Sequence, residues 1–272
     1  MRDKRVGLTE AVSLIPNGAV VALGGNSIQR APIAAVHEIV RQGKRGLEIV
    51  KTAGAYDIDL LAGTGAAASV SAGFVGFETL FGLAPSYRRA VEHGRVEAKE
   101  HACYTVIAGL RAAIQGVPFM PVAGMFGSDL IAARGFQTMN DPYSGEPVVV
   151  IPRLQPDVAI IHAQEADRDG NARIVGSQFE DVLMAKAARR VIVTAERIVD
   201  GVRFEAAPEA VAISGFLVDA VVESPRGAWP CGCAGEYEPD LEFLADYVAA
   251  SKQPETLDAF VNERILADRV AA

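Results

Sequence analysis

The chain has 272 residues, half of them hydrophobic and 7% aromatic, with 26 Lys plus Arg against 34 Asp plus Glu and a net charge of −8. That balance repels polyanions and no Lys/Arg run offers a basic face, so no nucleic acid and no anionic membrane surface is expected as a partner. No run approaches the roughly 18 apolar residues of a membrane span, and the N-terminal MRDKRVGLTEAV lacks the apolar core of a secretory signal. The three cysteines, Cys103, Cys231 and Cys233, have neither disulfide nor zinc spacing, and a reducing cytoplasm is the expected setting.

Short apolar runs punctuated by glycine alternate with amphipathic segments, the pattern of βα units in an open, mostly parallel sheet with helices on both faces. In chain order, a strand at residues 19–23 leads into the helix PIAAVHEIVRQG. A second strand at 47–51 is followed by the helices SYRRAVEHG and CYTVIAGLRAAIQG. Strands at 119–122, 148–152 and 157–163 precede the helix QFEDVLMAKAARR, and strands at 190–194 and 212–222 close the series. All seven read as buried strands, rich in Val and Ile without polar alternation. Helix ends are marked by Asn17-Gly18, Gln42-Gly43, His93-Gly94 and Gln115-Gly116, where glycine can take the left-handed conformation that turns the chain toward the next strand. From 226 the pattern changes to the loop RGAWPCGCAGEYEPD and then to helical segments at 241–250 and 257–267, a tail on what reads as one continuous unit of residues 1–272.

Three junctions could carry chemistry. In VVALGGNSIQRAPIAAVHEI a strand runs into Gly24, Gly25, Asn26 and Ser27, then Arg30 and Pro32 at a helix start. Glycines at a strand exit let a ligand approach the backbone, and helix-start N–H groups suit a phosphate or a thioester oxyanion. The run is neither G-x-G-x-x-G nor a P-loop, so NAD and ATP chemistry are disfavoured. A second turn, GMFGSDL, presents Gly127 and Ser128 after another strand, and the two turns would converge at the carboxyl edge of a parallel sheet. Ser128 alone reads as a helix cap. The third junction places His162, Gln164 and Glu165 at a strand end and Ser177, Gln178, Glu180 and Asp181 at the next helix start. His162 reads as hydrogen-bonded structure, and the two acidic residues as complements to the helix dipole. Glu78, in GFVGFETL, is the best single carboxylate by context, while Glu97 and Glu100 read as a solvated face. Cys103 reads as core, Cys231 and Cys233 as loop residues. No metal is expected.

The blocks VALGGNSIQRAPIAAVHEIVRQG, GVPFMPVAGMFGSDL and DVAIIHAQEADRDGNARIVGSQFEDVLMAKAARRVIVTAERIV resemble the A (alpha) subunit of family I coenzyme A-transferases, glutaconate CoA-transferase above all. The resemblance implies an open α/β fold of the CoA-transferase (NagB-like) type, coenzyme A as co-substrate, and a separate B (beta) subunit. It also implies ping-pong transfer of CoA between carboxylic acids through a glutamyl-CoA thioester, with the nucleophilic glutamate in the B subunit. By the same resemblance Gly24, Gly25, Asn26, Ser27, Arg30 and Pro32 match the glycine loop beside the bound acyl-CoA, with Arg30 able to hold the second carboxylate of a dicarboxylic acid. Gly127, Ser128 and Gln178 match further cleft positions. A related branch opens carbon rings hydrolytically with a glutamate just after an EA-[KR]-E segment; here EAKEHACYTV places Ala102 or Cys103 there, which weighs against that activity. A non-catalytic CoA-binding subunit is the remaining alternative.

Overall fold

A computed structural model describes residues 3–267; residues 1, 2 and 268–272, the ends of the expected unit, lie outside the described residues. The strands are β1 Val20–Leu23, β2 Leu47–Gly54, β3 Ala67–Val75, β4 Glu97–Glu100, β5 Phe119–Val122, β6 Gln137–Asn140, β7 Pro147–Pro152, β8 Val158–Ala166, β9 Ala172–Arg173, β10 Arg190–Ile198 and β11 Ala220–Glu223. The α-helices are α1 Leu8–Ser13, α2 Ile33–Arg41, α3 Tyr56–Gly63, α4 Glu78–Phe81, α5 Pro85–Glu92, α6 Cys103–Gln115, α7 Leu130–Arg134, α8 Asp181–Ala187, α9 Val202–Ala206, α10 Leu241–Ala250 and α11 Pro254–Val261.

The main sheet has the order β11-β10-β8-β1-β2-β3-β4, parallel throughout, with the short β9 hairpinned antiparallel onto β8. Because side chains alternate across a strand, each central strand feeds two cores. Val21 and Leu23 of β1, with Ile160 of β8, enter the layer packed by α1–α3, α5, α10 and α11; Ala22, Ala159 and Ile161 enter the opposite layer under α6 and α8. The expected open sheet with helices on both faces and a helical tail is what folds. The four glycines expected to end helices, Gly18, Gly43, Gly94 and Gly116, all have positive φ.

Several expectations need correction. Residues 119–122 and 148–152 are strands, but with β6 they form a separate antiparallel three-stranded sheet, order β5-β7-β6, over its own small core of Val122, Phe136, Val149 and Ile151. Of 212–222 only the end, β11, is a strand. Two strands of the main sheet, β3 and β4, carry no aliphatic run: β3 is AASVSAGFV, and β4 is EAKE, a charged edge strand on which Glu97 and Glu100 are exposed, the solvated face expected of them. Charge on an edge strand discourages pairing with a further chain.

Burial of ionisable groups between these layers makes stability depend on pH. Desolvation pushes His37 down to about 3, and likewise His101, beside Arg134, to about 4; His162 is also lowered by burial. These rings are neutral in the folded chain, whereas an unfolded histidine protonates near pH 6.5. Their contribution is therefore fully present above about pH 6.5 and is lost as pH falls toward the folded values. Asp59, raised to about 6 by burial, acts in the opposite sense between about pH 4 and 6, but it is one group against three. Urea-unfolding free energies should fall from pH 6.5 to 4.5, and His37→Gln should flatten that slope by up to about 1.4 kcal/mol per pH unit. An unchanged slope in the variant would contradict the neutral buried state of His37.

Candidate functional site

The turn after β1 lies at the carboxyl edge of the parallel sheet, where open α/β folds place their ligands. Gly24 and Gly25 are buried beneath it, while Asn26 and Ile28 are partly exposed and Gln29 is open. Positive φ occurs at Gly25 (70°) and also at Ser27 (48°), Arg30 (53°) and Phe179 (46°), a concentration of left-handed non-glycine backbone that persists only where surrounding contacts over-determine it.

Those contacts come from three sides. From α8, Asp181 accepts the Gly25 N–H at 2.9 Å and forms an ion pair with Arg30 at 2.6 Å, both side chains essentially buried. From β2, the fully buried Lys51 donates to the Gly24 carbonyl at 2.9 Å and pairs with Asp57 at 2.6 Å. From the Gly/Cys/Pro loop, Gly232 accepts the Arg30 N–H and donates to the Ile28 carbonyl, and Gly227 accepts from Ala34. That loop is in turn fastened through Glu196, which accepts from the Arg226 N–H, the Tyr237 hydroxyl and the His162 ring. The loop at 226–240 thus braces the back of the turn.

The bracing corrects two expectations. The amides of Gly24, Gly25, Asn26 and Ser27 donate to Ile160 O, Asp181 Oδ1, Gln29 O and Ala53 O, so they are not free to cradle an oxyanion. Arg30 is 2% exposed, and its guanidinium donates to the His162 carbonyl, the Ser177 carbonyl and Asp181. It is a structural clamp, not a receptor for a substrate carboxylate.

Other groups face the opening instead. At the end of β2, Thr52 donates its hydroxyl to Glu180 Oε2 at 2.5 Å and lies 3.5 Å from Asn26 Nδ2; its carbonyl meets the Cys103 thiol at 3.5 Å. Half-buried Asn26 and Glu180 and exposed Cys103 therefore gather over buried Thr52 in one notch between β1, β2, α6 and α8, edged by exposed Gln178 and Phe179. Beside it, a cavity of about 320 Å³ is lined by Gln29, Arg30, Val175, Gly176, Ser177, Phe179 and Ala234. Cys103 is exposed at the first residue of α6 rather than in the core, and burial followed by the Glu180 charge raises its thiol, so it stays protonated. Thr52 carried no sequence signal. Glu180 read as a helix-dipole complement because nothing in the local pattern ties it to residue 52.

The remaining candidates are placed elsewhere. Glu78 is exposed, with φ of 54°, just beyond β3, whose exit joins the same edge through the Gly76 N–H to Gly54 O bond. Gly127 and Ser128 follow β5 of the three-stranded sheet, so the expected convergence at a parallel-sheet edge does not arise; the Ser128 hydroxyl accepts from Leu130 N. Gln164 and Glu165 are buried and internally bonded, Glu165 to Arg173, Arg197 and Arg203. Ligand atoms of His162, Glu196 and Cys233 lie within 4.8 Å of one another, a set that metals can use. In this chain both His162 nitrogens are engaged, by Thr194 and Glu196, and the Cys233 thiol is pushed up to about 12 by burial and the Glu196 charge.

The Coenzyme A transferase family description matches residues 6–224. The chain is 39% identical over 94% of its length to an uncharacterized protein of Archaeoglobus fulgidus, of which it spans 58%. With the A chain of the glutaconate CoA-transferase of Acidaminococcus fermentans it shares 36% identity, covering 96% of this chain and 87% of that relative. The crystal structure of that enzyme superposes with a TM-score of 0.93 at 34% identity, covering 99% of this chain and 93% of the other. The AibA/AibB decarboxylase superposes at 0.86 with 36% identity over 97% of this chain and all of the other. The cholesterol ring-cleaving hydrolase IpdA subunit of Mycobacterium tuberculosis is 32% identical over 96% of this chain and 93% of its own length.

Proposed function

The chain belongs to the coenzyme A transferase family, and from that premise we propose that it is the alpha-type component of a heteromeric acyl-CoA:carboxylate CoA-transferase, active with a B subunit in the cytoplasm. The observation that carries this reading is the glycine turn itself: a strained backbone, braced from three sides, beside an open notch at the carboxyl edge of the sheet. Rigidity of this kind is what positions a thioester without reorganisation during reaction. Exposed apolar side chains, Phe74 at 42%, Tyr104 at 53% and Phe179 at 40%, suit coverage by a second polypeptide. In this reading a B-subunit glutamate attacks the acyl-CoA, giving an acyl anhydride and CoA thiolate. The thiolate then attacks the glutamyl carbonyl, releasing the first acid and leaving glutamyl-CoA, and the acceptor acid reverses the sequence. This chain supplies the wall against which the thioester is held, with the Asn26 amide and the Glu180 carboxylate as its partly exposed polar groups.

Co-purified with its B subunit, the chain should exchange CoA between an acyl-CoA and a free acid. The isolated chain should be slower by at least about a thousandfold, the scale of removing a covalent nucleophile. Full activity of the isolated chain would overturn the reading. Likeness to the ring-cleaving hydrolase subunit supports a second reading, a CoA-thioester hydrolase, with Glu180 rather than a residue at 102 or 103 as the carboxylate in the notch. Incorporation of label from heavy-oxygen water without any acceptor acid would favour it.

A further inference from the structure

Two cations stand beside the glycine turn, and both are cancelled. Arg30 pairs with Asp181 and Lys51 with Asp57, each at 2.6 Å and out of solvent, and their further donors go to backbone carbonyls. Glu180 is the carboxylate left at the notch. Its Oε2 is tethered by Thr52, a neutral donor, and the side chain is only half-buried. It is also the charged side chain that acts on the neighbouring Cys103 thiol. Two residues before Cys103, His101 meets Arg134 at 3.4 Å, and that guanidinium stacks on Phe136 of the small core under the three-stranded sheet. Of the exposed side chains next to these residues, Gln178 is neutral and polar, and Phe179 and Tyr104 are aromatic.

We propose that Glu180 is a specificity-determining residue of the acyl pocket, one that disfavours acyl groups bearing a second carboxylate and selects those with an apolar or hydrogen-bond-donating tail. The proposal rests on the CoA-thioester reading above and narrows its substrate class. A second carboxylate brought to the notch would meet Glu180, and none of the described residues lining the notch is an unpaired cation that could offset it. At a half-exposed site such a like-charge encounter is worth about tenfold in kcat/KM. A hydroxyl or an apolar tail meets an acceptor or an aromatic wall instead.

The test uses the complex of the full chain with its B subunit. Consumption of pentanoyl-CoA, 5-hydroxypentanoyl-CoA and glutaryl-CoA is followed by chromatography of the CoA species, with acetate present so that exchange and hydrolysis are both counted. Expected is a kcat/KM for the two uncharged thioesters about tenfold or more above that for glutaryl-CoA. Glu180→Gln, which keeps an acceptor for the Thr52 hydroxyl, should narrow the ratio to within about threefold. Thr52→Val, which removes the tether but leaves the charge, should keep it. Wild-type protein that takes glutaryl-CoA equally well, or a Glu180→Gln complex with an unaltered ratio, overturns the specificity role and leaves the CoA-thioester reading intact. If no thioester is consumed by either route, both fall.

Discussion

Replacing Arg30 with methionine is expected to destabilise the protein by about 3–5 kcal/mol rather than to weaken substrate binding. The guanidinium and the Asp181 carboxylate are buried together, and removing one leaves the other charged and unpaired in the interior. Two carbonyls, those of His162 and Ser177, lose their donor at the same time. For a chain of this size the melting temperature should fall by roughly 6–15 °C. A variant that melted within a degree or two of the wild type but showed a raised KM for an acid would instead make Arg30 a substrate ligand, as the sequence alone suggested. The two roles are separable because one moves the melting temperature and the other moves KM.

Gly25→Ala should be about as damaging, costing more than about 4 kcal/mol, for a reason that is steric rather than electrostatic. With φ of 70°, an added Cβ would overlap the backbone of Gln29 and Arg30, which is held by the Gly232 bridge and cannot withdraw. The control is Gly127→Ala in the second glycine turn: φ is 89° there, yet nothing lies within 4 Å of the added carbon. That change should cost only the left-handed conformation, about 1–2 kcal/mol. Equal losses at the two positions, measured by urea denaturation, would mean that the first turn is an ordinary loop and not a braced site.

What local sequence determined is what a few neighbouring residues decide between themselves. Helix-ending glycines such as Gly116 take the left-handed conformation because few other residues can, the tail helix at 241–250 forms where its apolar spacing put it, and Gly25 had to be a glycine in so tight a turn. Strands β3 and β4 were illegible because small residues and edge charges carry no aliphatic pattern; pairing with β2 makes β3 a strand, and β4 in turn pairs with β3. The site was half legible for the same reason. That a glycine turn would sit at a strand exit was visible in the sequence, but which side chains it consumed was not. Arg30 meets Asp181 across 151 residues, Gly25 meets it across 156, and Thr52 meets Glu180 across 128. Only the assembled sheet brings those partners within hydrogen-bonding distance, turning Arg30 from an apparent ligand into a clamp and leaving Glu180, which by sequence only complemented a helix dipole, as the charge that faces the opening.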